Sequence, residues 1–414
     1  MPRIALYLPN FAGGGMERVM LHLAEGFLAR GHEVDLLVSS AEGPYRHRVP
    51  AAARIVVLER AGLLGSRLLA LRASAPSDWR FLARPVLLAR RSGRQLLCLA
   101  ALVRYLGERR PDALIAAYPY CNLSAIWARR LAQVGTRVML TEHNMLSCKI
   151  AAKGRKGAQW RELPPLIGRV YRQADAIVAV SRGVADDLSV TAGLPRERIE
   201  IVYNPVVTAE LAGLAAEPAA HPWLAGRDGV PVIVAAGRLV PQKNFSLLFH
   251  AFARVRKERP VRLLILGEGP ERPQLEALRD SLGIGEDVAL PGFIGNPYAA
   301  FARAALLVLS SDYEGLGNVL IEALACGCPV VSTDCPSGPA EILEDGRFGE
   351  LVPPNDAAAL SAAILRTLAD PLPADRLRGR GAEFGLERSV ARYLQLLLAG
   401  AEPVEAEPRR LCDG

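Results

Sequence analysis

An apolar run, Ile4 to Leu8, leads into the small-residue stretch "PNFAGGG". From Met16 to Arg30 the apolar positions then recur at helical spacing, and Glu33 to Val38 reads as a second strand. That order is a βαβ unit. Further strands are expected at Ala113 to Ala117, Arg137 to Thr141, Ala176 to Val180 and Ile199 to Tyr203. The alternation stops at Thr208 to Gly229, which has no clear period and carries two prolines, so 208–229 reads as a linker. It restarts with short buried strands at Val232 to Ala236, Arg262 to Leu266, Asp287 to Leu290, Ala305 to Leu309 and Pro329 to Thr333. Short apolar strands joined by helical crossovers imply parallel sheets. The expected architecture is therefore α/β, with doubly wound domains at 1–207 and 230–400 and a frayed tail at 401–414. Ligands bind such sheets beyond the strand C-termini, which points to the cleft between the two domains.

Composition adds an asymmetry. The net charge of +7 divides into 30 Lys/Arg against 16 Asp/Glu in residues 1–207, and 20 against 27 in 208–414. The excess concentrates between Arg54 and Arg110, where 12 arginines face only Glu59, Asp78 and Glu108. Leucines interleaved with those arginines suit amphipathic helices. Such helices either pack on the domain with solvated arginines or lie on an anionic bilayer and receive a lipid-linked acceptor. The second reading assigns acceptor or membrane contact to Arg80, Arg84, Arg90, Arg91 and Arg94, helped by Lys153, Arg155 and Lys156. No apolar run approaches the roughly 18 residues of a membrane span, and Met1 to Pro9 does not read as a leader, so a cytoplasmic location is expected. The seven cysteines form neither a disulfide framework nor a metal knuckle.

The chemistry lies mainly in the second half. Strand 232–236 runs into "GRLVPQKN", which sets Arg238 just past the strand and Lys243 just before a helix. An arginine fork and a lysine point charge there can grip two linked phosphates; a solvated basic loop is the plain alternative. In "YEGLGNVLIEALACGCP", Gly315 and Gly317 allow close backbone approach and a helix begins near Asn318, offering free amides to an anion. Glu322 lies one turn on, inside an apolar run where an unpartnered carboxylate is costly. A pair of ribose hydroxyls would satisfy it, with Glu314 meeting the sugar end of the same ligand. A structural glutamate or a glycosidase carboxylate pair are the alternatives, the latter having no need of a diphosphate clamp. The loops "GEGPE" and "LPGF" add Gly267 and Phe293 to the same cleft edge.

Together with "GGGMER", "TEHN", "VAVSRG" and "VYNPV" in the first half, these segments resemble glycosyltransferase family 4, retaining sugar transferases of the GT-B fold, over nearly the whole chain. The resemblance implies two Rossmann-like domains facing each other across a cleft, an acceptor-binding first half and a donor-binding second half. It assigns Arg238 and Lys243 to the diphosphate clamp, Glu322 to the ribose and Glu314 to the reaction centre. Gly14 and Gly15 match the loop that closes on the donor, and His143 the active-site histidine. His143 could instead be a structural residue fixing its loop. The stretch Gly315, Leu316, Gly317, Asn318 and Val319 completes the donor site.

The implied activity is transfer of a sugar from a nucleotide diphosphate, a UDP-hexose or UDP-N-acetylhexosamine, to a glycan or polyprenyl diphosphate-linked acceptor. The resemblance implies a front-face mechanism with no metal and no cofactor. An anionic membrane surface is an expected partner, and nucleic acid is not. The rivals are a nucleotide-sugar epimerase of the same fold and a catalytically silent nucleotide-sugar binding protein. A dehydrogenase is disfavoured, since no strand is followed by a full GxGxxG.

Overall fold

The computed structural model describes residues 2–12, 14–89, 93–153, 158–225 and 229–398. In the first half, β1 (Arg3–Tyr7), β2 (Glu33–Val38), β3 (Arg54–Val57), β4 (Ala113–Ala117), β5 (Arg137–Glu142), β6 (Ala176–Ala179) and β7 (Ile199–Ile201) form one sheet in the order β3-β2-β1-β4-β5-β6-β7. In the second, β8 (Val232–Ala236), β9 (Arg262–Leu266), β10 (Val288–Gly292), β11 (Leu306–Leu309), β12 (Val330–Thr333) and β13 (Glu350–Val352) are ordered β10-β9-β8-β11-β12-β13. All the pairings are parallel. Every residue of β4 is buried, as a strand covered by helices on both faces must be.

The strand order reverses between β1 and β4 in the first sheet and between β8 and β11 in the second. Crossovers leave to opposite sides at these points, opening a crevice beyond the strand ends. The segments after β1, β4, β8 and β11 contain Gly14 and Gly15, Tyr118, Arg238 and Glu314 respectively.

Besides the unexpected edge strand β13, three features depart from the sequence reading. Arg54–Arg110 does not consist only of amphipathic helices: it opens with the edge strand β3. The 208–229 linker carries a short helix, Leu211–Ala216, whose Leu211 is buried, and Leu224 is buried as well. The 230–400 segment is not one spatial unit. Its last helix, Leu386–Leu398, returns to the first half, where Val390, Tyr393 and Leu397 join the core under the Gly15–Ala29 helix. A Cβ at Gly26 would come within 2.4 Å of Val390, so the two helices meet where a side chain is missing. Backbone bonds from Val206 and Val207 to the carbonyl of Phe384 tie this second crossing to the first.

Candidate active site

The helix Asn318–Ala325 starts at Gly317, whose φ of +92° is a left-handed conformation that favours glycine. Among the described residues, no oxygen accepts from the amides of Gly315, Leu316, Gly317, Asn318 or Val319. The amide of the preceding residue, Glu314, donates to Pro336 O at 3.3 Å. Five free amides at the positive end of a helix form an anion site.

Both glutamates of the turn are buried and paired. Lys243 Nζ and Ser311 Oγ donate to Glu314 Oε1 at 2.5 and 2.6 Å. Glu322 accepts from the Arg18 guanidinium, which reaches across from the first turn of the Gly15–Ala29 helix. Burial pushes the Glu322 carboxyl up from its ordinary pKa, and Arg18, Arg48 and Lys243 pull it back. The charged carboxylate in an apolar run is thus held by an arginine 304 residues away. The sequence reading left Arg18 out of the site although it quoted the "GGGMER" that contains it.

Arg238, past β8, is exposed, and no described side chain bonds to it, while its charge lowers the Glu17 carboxyl against the larger effect of burial. Gly15 lies against the second half, since a Cβ there would sit 3.5 Å from Asn318 Nδ2. Asn204, of "VYNPV", donates to Asn318 Oδ1 at 2.8 Å. Ser181, of "VAVSRG", donates to Gly315 O at 2.6 Å, where Ser337 also donates at 2.7 Å. Glu341 accepts from the amides of Arg182 and Gly183 at 3.0 and 3.1 Å. The quoted motifs therefore meet face to face across the cleft, and Asn204, Ser181 and Glu341 are contacts that residue type alone did not reveal.

His143 follows β5, and its carbonyl packs so tightly on Gly315 that a Cβ there would fall 2.0 Å from the oxygen. The surrounding protein, with Lys149, holds the imidazole down at about 3, so it is neutral near pH 7. Thr141 Oγ1 donates to Ala116 O at 2.9 Å, so it must accept from His143 Nε2, also 2.9 Å away. That leaves Nδ1 as an acceptor, sealed from solvent and unbonded. It is an unfilled acceptor that a ligand hydroxyl would reach only after the packing around it moves.

Other expected residues lie apart from this centre. Gly267 packs on the Gly237 carbonyl and supports the loop after β8. Phe293 is half exposed at the rim, 6.5 Å from the Tyr45 ring, near the point where Arg48 donates to Gly295 O at 2.8 Å. Arg80, Arg84 and Arg94 are exposed on the first half, Arg84 pairing with Glu162 at 3.0 Å and Arg80 lying over Phe81. Arg90, Arg91, Arg155 and Lys156, and the side chain of Lys153, lie outside the described residues.

Two parallel doubly wound sheets set switch point to switch point, with an amide-lined anion site and two carboxylates between them, define a two-domain GT-B enzyme. The Glycosyltransferase Family 4 model matches residues 13–210, and the Glycosyl transferases group 1 model matches 230–370. The chain belongs to glycosyltransferase family 4 and is a glycosyltransferase. It is 36% identical over 213 residues to the N-acetylgalactosamine-N,N'-diacetylbacillosaminyl-diphospho-undecaprenol 4-alpha-N-acetylgalactosaminyltransferase of Campylobacter jejuni, covering 51% of this chain and 55% of that one. It is 29% identical over 390 residues to the lipopolysaccharide core biosynthesis glycosyltransferase LpsE of Rhizobium meliloti, 93% and 96% of the two chains. Anabaena HepE, solved with UDP and glucose, shares the fold with a TM-score of 0.73 at 17% identity, over 96% of this chain and 100% of that one.

Proposed function

We propose that the protein moves a hexose or N-acetylhexosamine from its UDP derivative to a glycan or lipid-linked glycan, with retention and without a metal. The observation that carries this reading is the convergence of five free amides, Arg238, Lys243, Glu314 and Glu322 at one switch point.

The ribose hydroxyls take Glu322 in place of Arg18, and the diphosphate lies against the Gly315–Val319 amides with Lys243 and Arg238 on it. Lys243 then leaves Glu314, whose carboxylate turns to the sugar, and His143 Nδ1 accepts from a sugar hydroxyl once the loop after β5 shifts to uncover it. The acceptor hydroxyl attacks the anomeric carbon from the face that the diphosphate leaves. The bond to the diphosphate oxygen breaks, the new glycosidic bond forms with the same configuration, and the acceptor proton passes to the departing diphosphate. Charge developing there meets donors already in place, which lowers the barrier and removes the need for a protein nucleophile.

A lipid-linked acceptor is supported by the name of the Campylobacter jejuni relative, and contact with a membrane surface by an inverted helix face. The Leu63–Ala73 helix buries Ser66, Ala70 and Ala73 and leaves Leu64 72% and Leu68 57% exposed. Leucines turned outward among arginines suit a bilayer surface. No helix among the described residues is long and apolar enough to cross a membrane.

A thermal-shift panel of nucleotide sugars, followed by product analysis with a polyprenyl diphosphate-linked glycan, tests the reading. A ligand at 100 times its dissociation constant stabilises by about 2.7 kcal/mol. Stabilisation by no UDP-sugar, or a product of inverted configuration, would refute it. Free sugar epimer released without any acceptor would instead indicate the epimerase.

A further inference from the structure

From Ala113 to Ala128 every residue but one is buried, and the exception is Tyr118, 40% exposed. It follows β4 at the switch point of the first sheet. Its φ of +93° lies where side chains are disfavoured, yet a tyrosine occupies the position. The backbone is pinned there by the fully buried β4, by Pro119 and by the bond from the Asn122 amide to the Tyr118 carbonyl at 2.8 Å. Strain of this kind persists when the surroundings fix it, and it collects at ligand sites.

The neighbours belong to the cleft. Lys149 Nζ sits 4.5 Å from the ring centroid, and the charges of Glu17 and Arg238 both reach the phenol. Across the cleft, the chain at His143 and Asn144, just before the Leu146–Lys153 helix, packs on Gly315 beside Tyr313 and Glu314. The donor chemistry described above does not use Tyr118.

We propose that Tyr118 is the platform on which the acceptor's pyranose ring stacks, beside the diphosphate clamp, with Lys149 fixing the phenol ring. This rests on the glycosyltransferase reading and extends it to the acceptor. The electron-rich face of an aromatic ring attracts the partly positive axial C–H bonds of a sugar. Cation contact on one side and 40% exposure leave ring surface for that contact. A sugar stacked there would lie in the part of the cleft that the charge of Arg238 reaches.

Saturation-transfer NMR with octyl glycosides of glucose, galactose, N-acetylglucosamine and N-acetylgalactosamine tests the platform, each read with and without UDP. Wild type and Tyr118→Phe are expected to saturate the axial C–H protons of at least one glycoside. Tyr118→Ala and Tyr118→Gly are expected to reduce that signal at least tenfold, with UDP affinity unchanged within about twofold. Glycine accepts the backbone angle, so Tyr118→Gly should also melt above Tyr118→Ala and supplies a folded variant. Equal contact in Tyr118→Gly, or contact of no glycoside with wild type, overturns the proposal. Failure of UDP to bind would count against the donor reading and leave the glycoside comparison standing.

Discussion

Arg18 and Glu322 form a buried ion pair that joins the first turn of one domain's leading helix to the Asn318–Ala325 helix of the other. The pair occupies the carboxylate proposed to receive the ribose, so a bound ribose would replace a contact between the two halves. Arg18→Ala leaves Glu322 without its ion-pair partner and is expected to lower stability by about 3–5 kcal/mol in calorimetry. Saturating UDP should then stabilise the variant at least as much as wild type, because nothing competes for Glu322. Glu322→Ala should do the reverse and weaken UDP binding by about 1–3 kcal/mol. Unchanged UDP affinity in a folded Glu322→Ala variant would remove the ribose from this carboxylate.

Arg238 and Lys243 are expected to act more on turnover than on binding. Replacing either with Ala should lower kcat by ~10² or more, by analogy with loss of an oxyanion donor. Recovery of full turnover at saturating donor would mean that the two residues serve binding alone.

In the proposed reaction, cationic side chains and helix amides do the work of a divalent ion on the diphosphate. Transfer is therefore expected to continue in excess EDTA. Complete loss, reversed by magnesium or manganese, would assign the diphosphate to a metal.

His22 gives a pH dependence with a definite sign. Its Nδ1 lies 2.7 Å from Pro205 O, and burial holds the imidazole down at about 4. A carbonyl only accepts, so Nδ1 carries the proton in the neutral ring. The unfolded histidine gains a second proton near pH 6.5 and the folded one only near 4. The stability advantage of wild type over His22→Gln should be full above about pH 6.5 and shrink as pH falls toward 4. Melting curves that stay a constant interval apart from pH 7 to 4 would contradict that assignment.

Membrane attachment should depend on charge. Co-sedimentation with liposomes is expected to increase with anionic lipid and fall at high salt, since each arginine near the surface contributes about 1 kcal/mol. Substituting Leu64 and Leu68 with Ser should weaken it further. Equal sedimentation with neutral and anionic vesicles, or none with either, would favour a soluble acceptor.

The central strands and the glycine-rich turn before the Asn318–Ala325 helix were legible because their signals are local. Val232 to Ala236 is apolar throughout, and the turn around Gly315 and Gly317 announces a close approach to a helix start. The edge strands β3 and β13 were not, since neither is fully buried and each has only three or four residues. Arg18 was hidden for a different reason. Its partner lies 304 positions away, and one arginine among the 30 basic residues of its half carries no mark of burial. Tyr118 was illegible because strain is a property of φ, which residue type only constrains.

The return of the Leu386–Leu398 helix to the Gly15–Ala29 helix means that the chain joins the two halves twice. A single proteolytic nick between 217 and 221 would therefore not release two separate domains: the fragments would remain docked through Val390, Tyr393 and Leu397. A fragment ending at residue 207 would lack that helix and carry an uncovered apolar stripe, so the two halves are better co-expressed as complementing pieces than purified apart.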